Sequence, residues 1–351
     1  MIKKRFKFNG ISYILNDDHK VASLINNTEL SGDILIPRSI INQNQEYVIT
    51  SIEEGSFSFS EIKSIQFEDN SELEIIDEKA FYNSSLKSIS LPKSVTKISP
   101  YSFACCLKLQ EFIIPENSKL KVIESNAFFG SPIESIFIPS DLKYSQENWF
   151  NGLMKLTKFK VSPKSQSFFN YQDNYILGKN EEDQYYEILL FARRDIIRAA
   201  IPSFVEQIAP HSFEFCKSIQ KVSFSNDSNL KIIQKYAFSN SALQTITIPK
   251  TVLKICEYAF YWCHDFKRVC FDIDSELKII EKCAFGNSSL ESIIIPSKVE
   301  TIELIAFSNC KNLLAIEIEE NSSMKLIVTD TSIETFQAII FFPVKSKIRF
   351  E

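Results

Sequence analysis

Apolar residues recur along the chain in a short pattern, L-x-x-I-x-I, whose last two apolar positions are two residues apart. This spacing puts them on one face of a β-strand and the residues between them on the other. Polar residues such as Ser88 and Ser90 fill the alternate positions, and proline often follows, as at Pro92, where it ends the strand. The central apolar residues of the copies are Ile65, Ile89, Phe112, Ile136, Phe159, Val222, Ile246, Val269, Ile293 and Ile316.

A second pattern, a small residue followed by phenylalanine, comes before nine of these ten strands. In one copy Ile255, Ala259, Phe260 and Cys263 lie at i, i+4, i+5 and i+8, the spacing of one face of a short helix. We therefore expect one or two helical turns in this segment. The phenylalanines are Phe57, Phe81, Phe103, Phe128, Phe213, Phe238, Phe260, Phe285 and Phe307.

The spacing between these phenylalanines predicts the architecture. The steps are 24, 22 and 25 residues and, after a break, 25, 22, 25 and 22. One copy reads as a strand, a turn, an extended return and a short helix, and it cannot bury its apolar face alone. Stacked copies can, with equivalent strands about 4.8 Å apart. We predict a solenoid, an α/β repeat that is mostly β. It would have about ten to twelve coils, parallel strands on one face and short helical or 3-10 turns elsewhere.

The repeats break between Val161 and Ile201, and the segment between them is similar to the N-terminus. Residues 169–177 parallel residues 8–15, and each stretch opens a predicted hairpin, turned by 16–20 in the first case and 178–184 in the second. We predict three parts. Residues 1–162 would form an N-terminal capping hairpin and the first arm of repeats, 163–200 a second hairpin-like insertion, and 201–351 the second arm, with a C-terminal cap at 331–351. Whether the arms are continuous or bend at 163–200 stays open.

Three strings of this sequence resemble a known family. They are PKSVTKI at 92–98, YSFACCLKLQEFIIP at 101–115 and IPKTVLKICEYAF at 248–260. They closely resemble the leucine-rich repeats of BspA-like surface antigens, and ILLFARRD at 188–195 is similar to a segment between repeats in protozoan members. The resemblance covers about residues 30–328. It implies a leucine-rich-repeat solenoid from a family of cell-surface proteins linked to adhesion, with a protein or glycan partner on a host cell or matrix.

Composition and charge narrow the possible functions. The 351 residues carry a formal net charge of −5, which argues against a nucleic-acid partner because that partner favours a basic face. No apolar run approaches the roughly 20 residues of a membrane span. No secretory signal is recognisable at the basic N-terminus. The family suggests the cell surface, whereas the missing signal leaves a cytoplasmic location open.

The residues suited to catalysis or metal binding form no recognisable constellation. His19, His211 and His264 occupy different phases of the repeat, and no phosphate-binding glycine loop occurs. Among the 8 cysteines, Cys106, Cys216, Cys263 and Cys310 each follow a repeat phenylalanine by three, where alternate copies have serine. We interpret them as buried free thiols rather than as disulfides or a metal site. No cofactor is expected. The charge run at Arg193-Arg194-Asp195 reads as a solvated loop.

The outward face of the strands offers the best candidate binding site. Ile113 and Phe137 fall on neighbouring predicted strands, beside Lys158 and Lys160. An apolar pair next to positive charge suits recognition of a partner better than catalysis. The alternative is a lateral patch that a loop or a neighbouring molecule covers.

The leading hypothesis is thus a non-enzymatic protein- or glycan-binding adhesion protein that presents its leucine-rich-repeat sheet as the recognition surface. An intracellular interaction scaffold is the alternative, and a repeat-scaffolded hydrolase is a remote one. The identity of the partner and the oligomeric state cannot be predicted from the sequence.

Overall fold

The computed structural model describes residues 4–143, 149–179, 184–320 and 326–328. The chain divides into two compact units, Met1–Asp173 with Gly178–Asp183 and Asn174–Leu177 with Gln184–Glu351. The predicted C-terminal cap at 331–351 lies outside the described residues, as does most of the turn predicted at 178–184. The domain boundaries at 162 and 200 stay predictions.

Fifteen strands are described in the first unit, and fourteen of them, β1 to β14, form two sheets. One sheet has the order β4-β7-β9-β11-β13-β14 and is parallel in each of its pairs; the other has the order β1-β2-β3-β6-β8-β10-β12, with β5 against β6. The strands are β1 (Lys4–Phe8), β2 (Ile11–Asn16), β3 (Val21–Leu24), β4 (Ser31–Ile36), β5 (Ser39–Asn42), β6 (Gln45–Ile52), β7 (Glu61–Phe67), β8 (Ile75–Ile76), β9 (Ser88–Ser90), β10 (Lys97–Ile98), β11 (Glu111–Ile113), β12 (Val122–Ile123), β13 (Ser135–Ile138), β14 (Lys158–Val161) and β15 (Phe168–Tyr171).

The second unit repeats this arrangement. Its strands are β16 (Tyr175–Gly178), β17 (Ile188–Ala192), β18 (Arg198–Ile201), β19 (Gln207–Ile208), β20 (Lys221–Phe224), β21 (Ile232–Ile233), β22 (Thr245–Ile248), β23 (Lys254–Ile255), β24 (Arg268–Phe271), β25 (Ile279–Ile280), β26 (Ser292–Ile295), β27 (Thr301–Glu303), β28 (Ala315–Ile318) and β29 (Leu326–Val328). The sheet β18-β20-β22-β24-β26-β28 is parallel, and β17-β19-β21-β23-β25-β27-β29 forms the opposite sheet with β16 beside β17. The predicted leucine-rich-repeat solenoid is confirmed.

The repeat phenylalanines form the core of each unit. In the first unit the ring centroids of Phe57, Phe81 and Phe103 follow one another at 5.1 and 5.0 Å, nearly parallel. In the second, Phe260, Phe285 and Phe307 follow at 5.3 and 5.4 Å. All are buried. Offset-stacked rings at this distance contribute attraction beyond their burial.

The segment around each phenylalanine is not helical, so the expected helical turns are wrong for most copies. Backbone φ is positive two residues before the ring, as at Tyr101 (55°) and Tyr258 (57°), and two residues after it, as at Cys105 (57°) and Trp262 (57°). A left-handed residue at each position interrupts the helix and leaves a chain of turns. Among the described residues, the only helical segment is the 3-10 turn α1 (Leu304–Phe307).

These turns direct backbone groups between coils instead of along a helix. The amide N–H of Phe81 donates to the carbonyl oxygen of Ser102, one coil further on, at 2.7 Å. The same bond joins Phe103 to Ala127 at 2.8 Å and Phe260 to Ala284 at 2.7 Å. The small residue before each phenylalanine therefore supplies the acceptor of an inter-coil ladder.

Two further turn predictions can be compared with the structure. The turn at 16–20 is confirmed, since β2 and β3 pair antiparallel with Asn16 opposite Val21. The long copies turn without glycine because a serine hydroxyl accepts a bond from its own backbone two residues on. Examples are Leu120 N to Ser118 Oγ at 3.1 Å and Leu230 N to Ser228 Oγ at 3.3 Å.

The expectation of a solvated loop at Arg193-Arg194-Asp195 is wrong for Arg194, which is buried. Its guanidinium stacks on the Phe191 ring at 4.1 Å and donates to the carbonyl oxygen of Ser212 at 2.8 Å. The neighbouring Arg193 instead makes a two-bond pair with Asp195, at 2.6 and 2.7 Å. The planar fork of donors lets Arg194 bond turn carbonyls at the first coils of the second unit.

The stack predicts the cost of removing one ring. Phe285 is fully buried between Phe260 and Phe307, so Phe285→Ala should lower the free energy of unfolding by about 3–5 kcal/mol. Phe59→Ala is the control because that ring is 65% exposed, and it should cost less than about 0.5 kcal/mol. Urea unfolding followed by circular dichroism measures both variants. Equal midpoints for the two would contradict the stacked core.

Candidate functional site

The four predicted site residues lie together on the sheet of the first unit. Ile113 ends β11, Phe137 lies in β13, and Lys158 and Lys160 lie in β14. Register places Lys158 opposite Ser135 and Lys160 opposite Phe137. All four line one shallow depression of about 340 Å³. The strand phase explains this, since Phe112 and Ile136 point inward and are buried.

Exposure differs among the four. Ile113 is 51% exposed and both lysines are exposed, whereas Phe137 is half-buried. Phe137 therefore presents one part of its ring to solvent and rests the remainder on the sheet. An aromatic residue held in this way loses little conformational freedom when a partner covers it.

The two lysines are electrostatically different. Lys160 Nζ lies 3.3 Å from the Oε1 atom of Glu116, which follows Pro115 in the turn after β11. Lys158 makes no ion pair within the described parts of the chain. Lys158 is thus the cation free to meet an acidic group, and Glu116 partly neutralises Lys160.

A second, larger groove adjoins this depression and was not predicted. It has a volume of about 550 Å³, and Ile113 lines both concavities. Its charged lining includes Glu68, Asp69, Glu111 and Lys93, so carboxylates outnumber cations. Glu111 occupies an outward strand position that the period of two identifies, but Glu68 and Asp69 come from the turn after β7, which strand periodicity does not place.

A scan against protein-family models matches the BspA type leucine rich repeat region, in 6 copies, over residues 38–172 and 188–314. These ranges cover most of the chain. The chain belongs to the BspA-type leucine-rich-repeat family. No curated protein sequence matches it.

Solved structures show the same fold. The pneumococcal vaccine antigen PcpA is 18% identical, with a TM-score of 0.70 over 94% of this chain and 100% of that chain. A leucine-rich cell surface protein from Faecalibacterium prausnitzii is 19% identical, with a TM-score of 0.56 over 91% and 95%. A leucine-rich repeat protein from Eubacterium ventriosum is 18% identical, with a TM-score of 0.56 over 96% and 99%. These identities support the fold alone.

The histidines of this BspA-type chain are separate from one another. His19 lies in the β2–β3 turn, and His264 is exposed beside Trp262. His211 Nδ1 lies 2.9 Å from Glu214 Oε2, and its ring stacks on Tyr236 at 5.2 Å. Across the described residues, no group of three or more His, Cys, Asp and Glu side chains could hold a metal ion. No helix described in the structure has the length and apolarity needed to cross a bilayer.

The cysteine column has a hydrogen-bonding role that the sequence reading missed. Cys263 Sγ lies 3.0 Å from the carbonyl oxygen of Phe238, one coil back, and Cys106 Sγ lies 2.9 Å from that of Phe81. In an alternate copy Ser131 Oγ donates to Phe103 O at 2.6 Å. The position therefore requires a small donor, which serine and cysteine both supply. The alternation of serine and cysteine at this position along the sequence is the signal that could have indicated the hydrogen-bonding role.

All eight cysteines are free thiols. Cys216 and Cys263 are buried as predicted, but Cys310, in the last complete copy that the structure describes, is half-buried. Equivalent cysteines lie two coils apart, about 9–10 Å at the strand spacing, which exceeds the roughly 7 Å limit between Cα atoms for a disulfide. Burial raises the pKa of the Cys106 and Cys263 thiols to about 11 and that of Cys256 to about 12.

These facts predict selective labelling. Because of these raised pKa values, the thiols of Cys106, Cys256 and Cys263 remain protonated at pH 8, and only thiolates react quickly. Iodoacetamide should therefore modify exposed Cys270 first, while Cys106 and Cys263 react only after denaturation. Peptide mass spectrometry without reductant should then find all eight labelled. A cross-linked peptide joining Cys216 to Cys263 would overturn the free-thiol assignment.

Proposed function

We propose that this BspA-type protein is a non-enzymatic adhesion protein that recognises a protein partner on a host cell or matrix through the sheet of its first unit. The observation that carries the proposal is the exposure of Ile113 and Phe137 between the acidic groove and the unpaired cation Lys158. Family membership supports a binding role, since leucine-rich-repeat proteins present extended surfaces to partners.

The chemistry of this surface favours a protein over a glycan at this position. Protein interfaces concentrate their binding energy in a few aromatic or apolar anchors that become fully desolvated. Ile113 and Phe137 are such anchors. The carboxylates Glu68, Asp69 and Glu111 on one side and Lys158 on the other would orient a partner of opposite polarity.

Truncating the aromatic anchor should reduce binding without unfolding the chain. Phe137→Ala should weaken adhesion to immobilised extracellular-matrix extract by about tenfold or more, the effect of one hot-spot residue. Ile294→Ala is the matched control, because Ile294 occupies the equivalent outward position in the second unit and is 50% exposed. Biolayer interferometry measures binding, and thermal unfolding checks the fold. Unchanged adhesion by a folded Phe137→Ala protein would remove this site from the proposal.

Reversing the unpaired charge should act on the association rate. Lys158→Glu should slow association mainly at low ionic strength, where the field of a surface charge is least screened. Lys160→Glu should have a smaller effect, because Glu116 already partly neutralises that lysine. Association rates at about 0.01 and 0.15 M salt measure the difference. Equal slowing by the two variants would contradict the special role of Lys158.

A further inference from the structure

A row of cations crosses the parallel sheet of the second unit. Arg198 pairs in register with Lys221, Lys221 with Thr245, and Thr245 with Arg268, so these four residues occupy equivalent positions on β18, β20, β22 and β24. We call Arg198, Lys221 and Arg268, with Thr245 between them, the basic row. At about 4.8 Å per strand it extends over roughly 14 Å.

The three cations are exposed and have no carboxylate partner among the described residues. Two other basic side chains of the same coils differ, because each pairs with a carboxylate. Arg193 pairs with Asp195 at 2.6 Å, and Lys267 Nζ lies 3.8 Å from Glu291 Oε1. Asp195 and Glu291 are therefore engaged with other cations, and the basic row keeps its positive charge in a chain whose net charge is −5.

The outward column beside the basic row holds only small or polar side chains from β18 to β24. The next outward positions on the same strands are Ala200, Ser223, Thr247 and Cys270, all exposed. No aromatic side chain occupies the two outward columns from β18 to β24, in contrast to Phe137 in the first unit. Bases of single-stranded nucleic acids bind by stacking on aromatic side chains, which these columns lack.

We propose that the basic row binds a linear anionic polysaccharide that bears sulfate or carboxylate groups. Arginine forks form two-point hydrogen bonds with oxyanions, and lysine adds a mobile charge. The hydroxyl groups of Thr245 and Thr247 can bond sugar hydroxyls along the same track. The basic row suits an acidic protein partner less well, because none of its positions holds an apolar side chain that could act as a binding hot spot.

The test compares two triple variants that remove the same charge. R198S/K221S/R268S eliminates the basic row, and K250S/K278S/K282S removes three exposed lysines of the second unit that lie outside this sheet. The full chain is titrated with heparin oligosaccharide as the sulfated probe, at several salt concentrations. Thermal unfolding of each protein verifies the fold.

We expect R198S/K221S/R268S to bind the heparin probe at least about tenfold more weakly. Its plot of log K against log salt should also have a slope smaller by about two to three, since each lost ionic contact reduces the slope by nearly one. The control variant should stay within about twofold of the wild type. Equal losses in the two variants would mean non-specific charge attraction and would overturn the proposal.

Two further probes decide the class of partner. Polyglutamate tests an acidic protein, and oligo(U) tests a nucleic acid. If both probes bind the wild-type protein more weakly than heparin of equal charge does, the result supports a polysaccharide partner. Binding of either probe through the basic row as tightly as heparin would overturn it. The Phe137→Ala protein should bind heparin like the wild type, so that failure here is distinguishable from failure of the first-unit site.

Discussion

In most of the coils that the structure describes, a hydrogen bond in the buried turn joins one coil to the next, from the amide N–H of the repeat phenylalanine to the carbonyl oxygen of the small residue one coil further on. This bond sets the distance between coils. It stacks the rings about 5 Å apart and leaves the strands in register. Buried backbone donors must be paired, so the ladder supplies a partner that a helix would otherwise have supplied. Every surface row on the sheets inherits this spacing.

The ladder explains why the small residues and the left-handed residues occur together. Ala80 and Ala259, like the other small residues of the column, are buried between coils. Positive φ at Tyr258 and Trp262 turns the chain so that Phe260 N–H points along the solenoid. Three residues after the ring, Cys106, Ser131, Cys263 and Cys310 then bond the carbonyl of the preceding phenylalanine. In the copies between the cysteines, Ser84, Ser241 and Ser288 instead lie 3.4–3.5 Å from the Sγ atom of the cysteine one coil further on. The coils differ in length in the loops outside this turn. Serine hydroxyls accept backbone hydrogen bonds within the longer of these loops.

The strands, the aromatic core and the gathering of Ile113, Phe137, Lys158 and Lys160 were predictable because a period of two reports directly which side chains share a face. The conformation of the turns was not predictable, because the spacing of apolar residues indicates which side chains are buried and contains no information on the sign of φ. Tyr101 and Tyr258 are not residue types that signal a left-handed conformation. Pairing of Lys160 with Glu116 and burial of Arg194 depend on contacts between different coils, which spacing along the chain does not contain.

The two units put different chemistry on the same geometry. Outward positions on β11, β13 and β14 combine apolar side chains with both signs of charge, whereas those on β18 to β24 combine cations with hydroxyl groups. Exposed side chains of this kind contribute little to folding, because the buried turn and the ring stack supply the stability. The outward columns are therefore free to encode recognition, and their fixed spacing turns a choice of residue on each coil into a pattern that an extended partner can match.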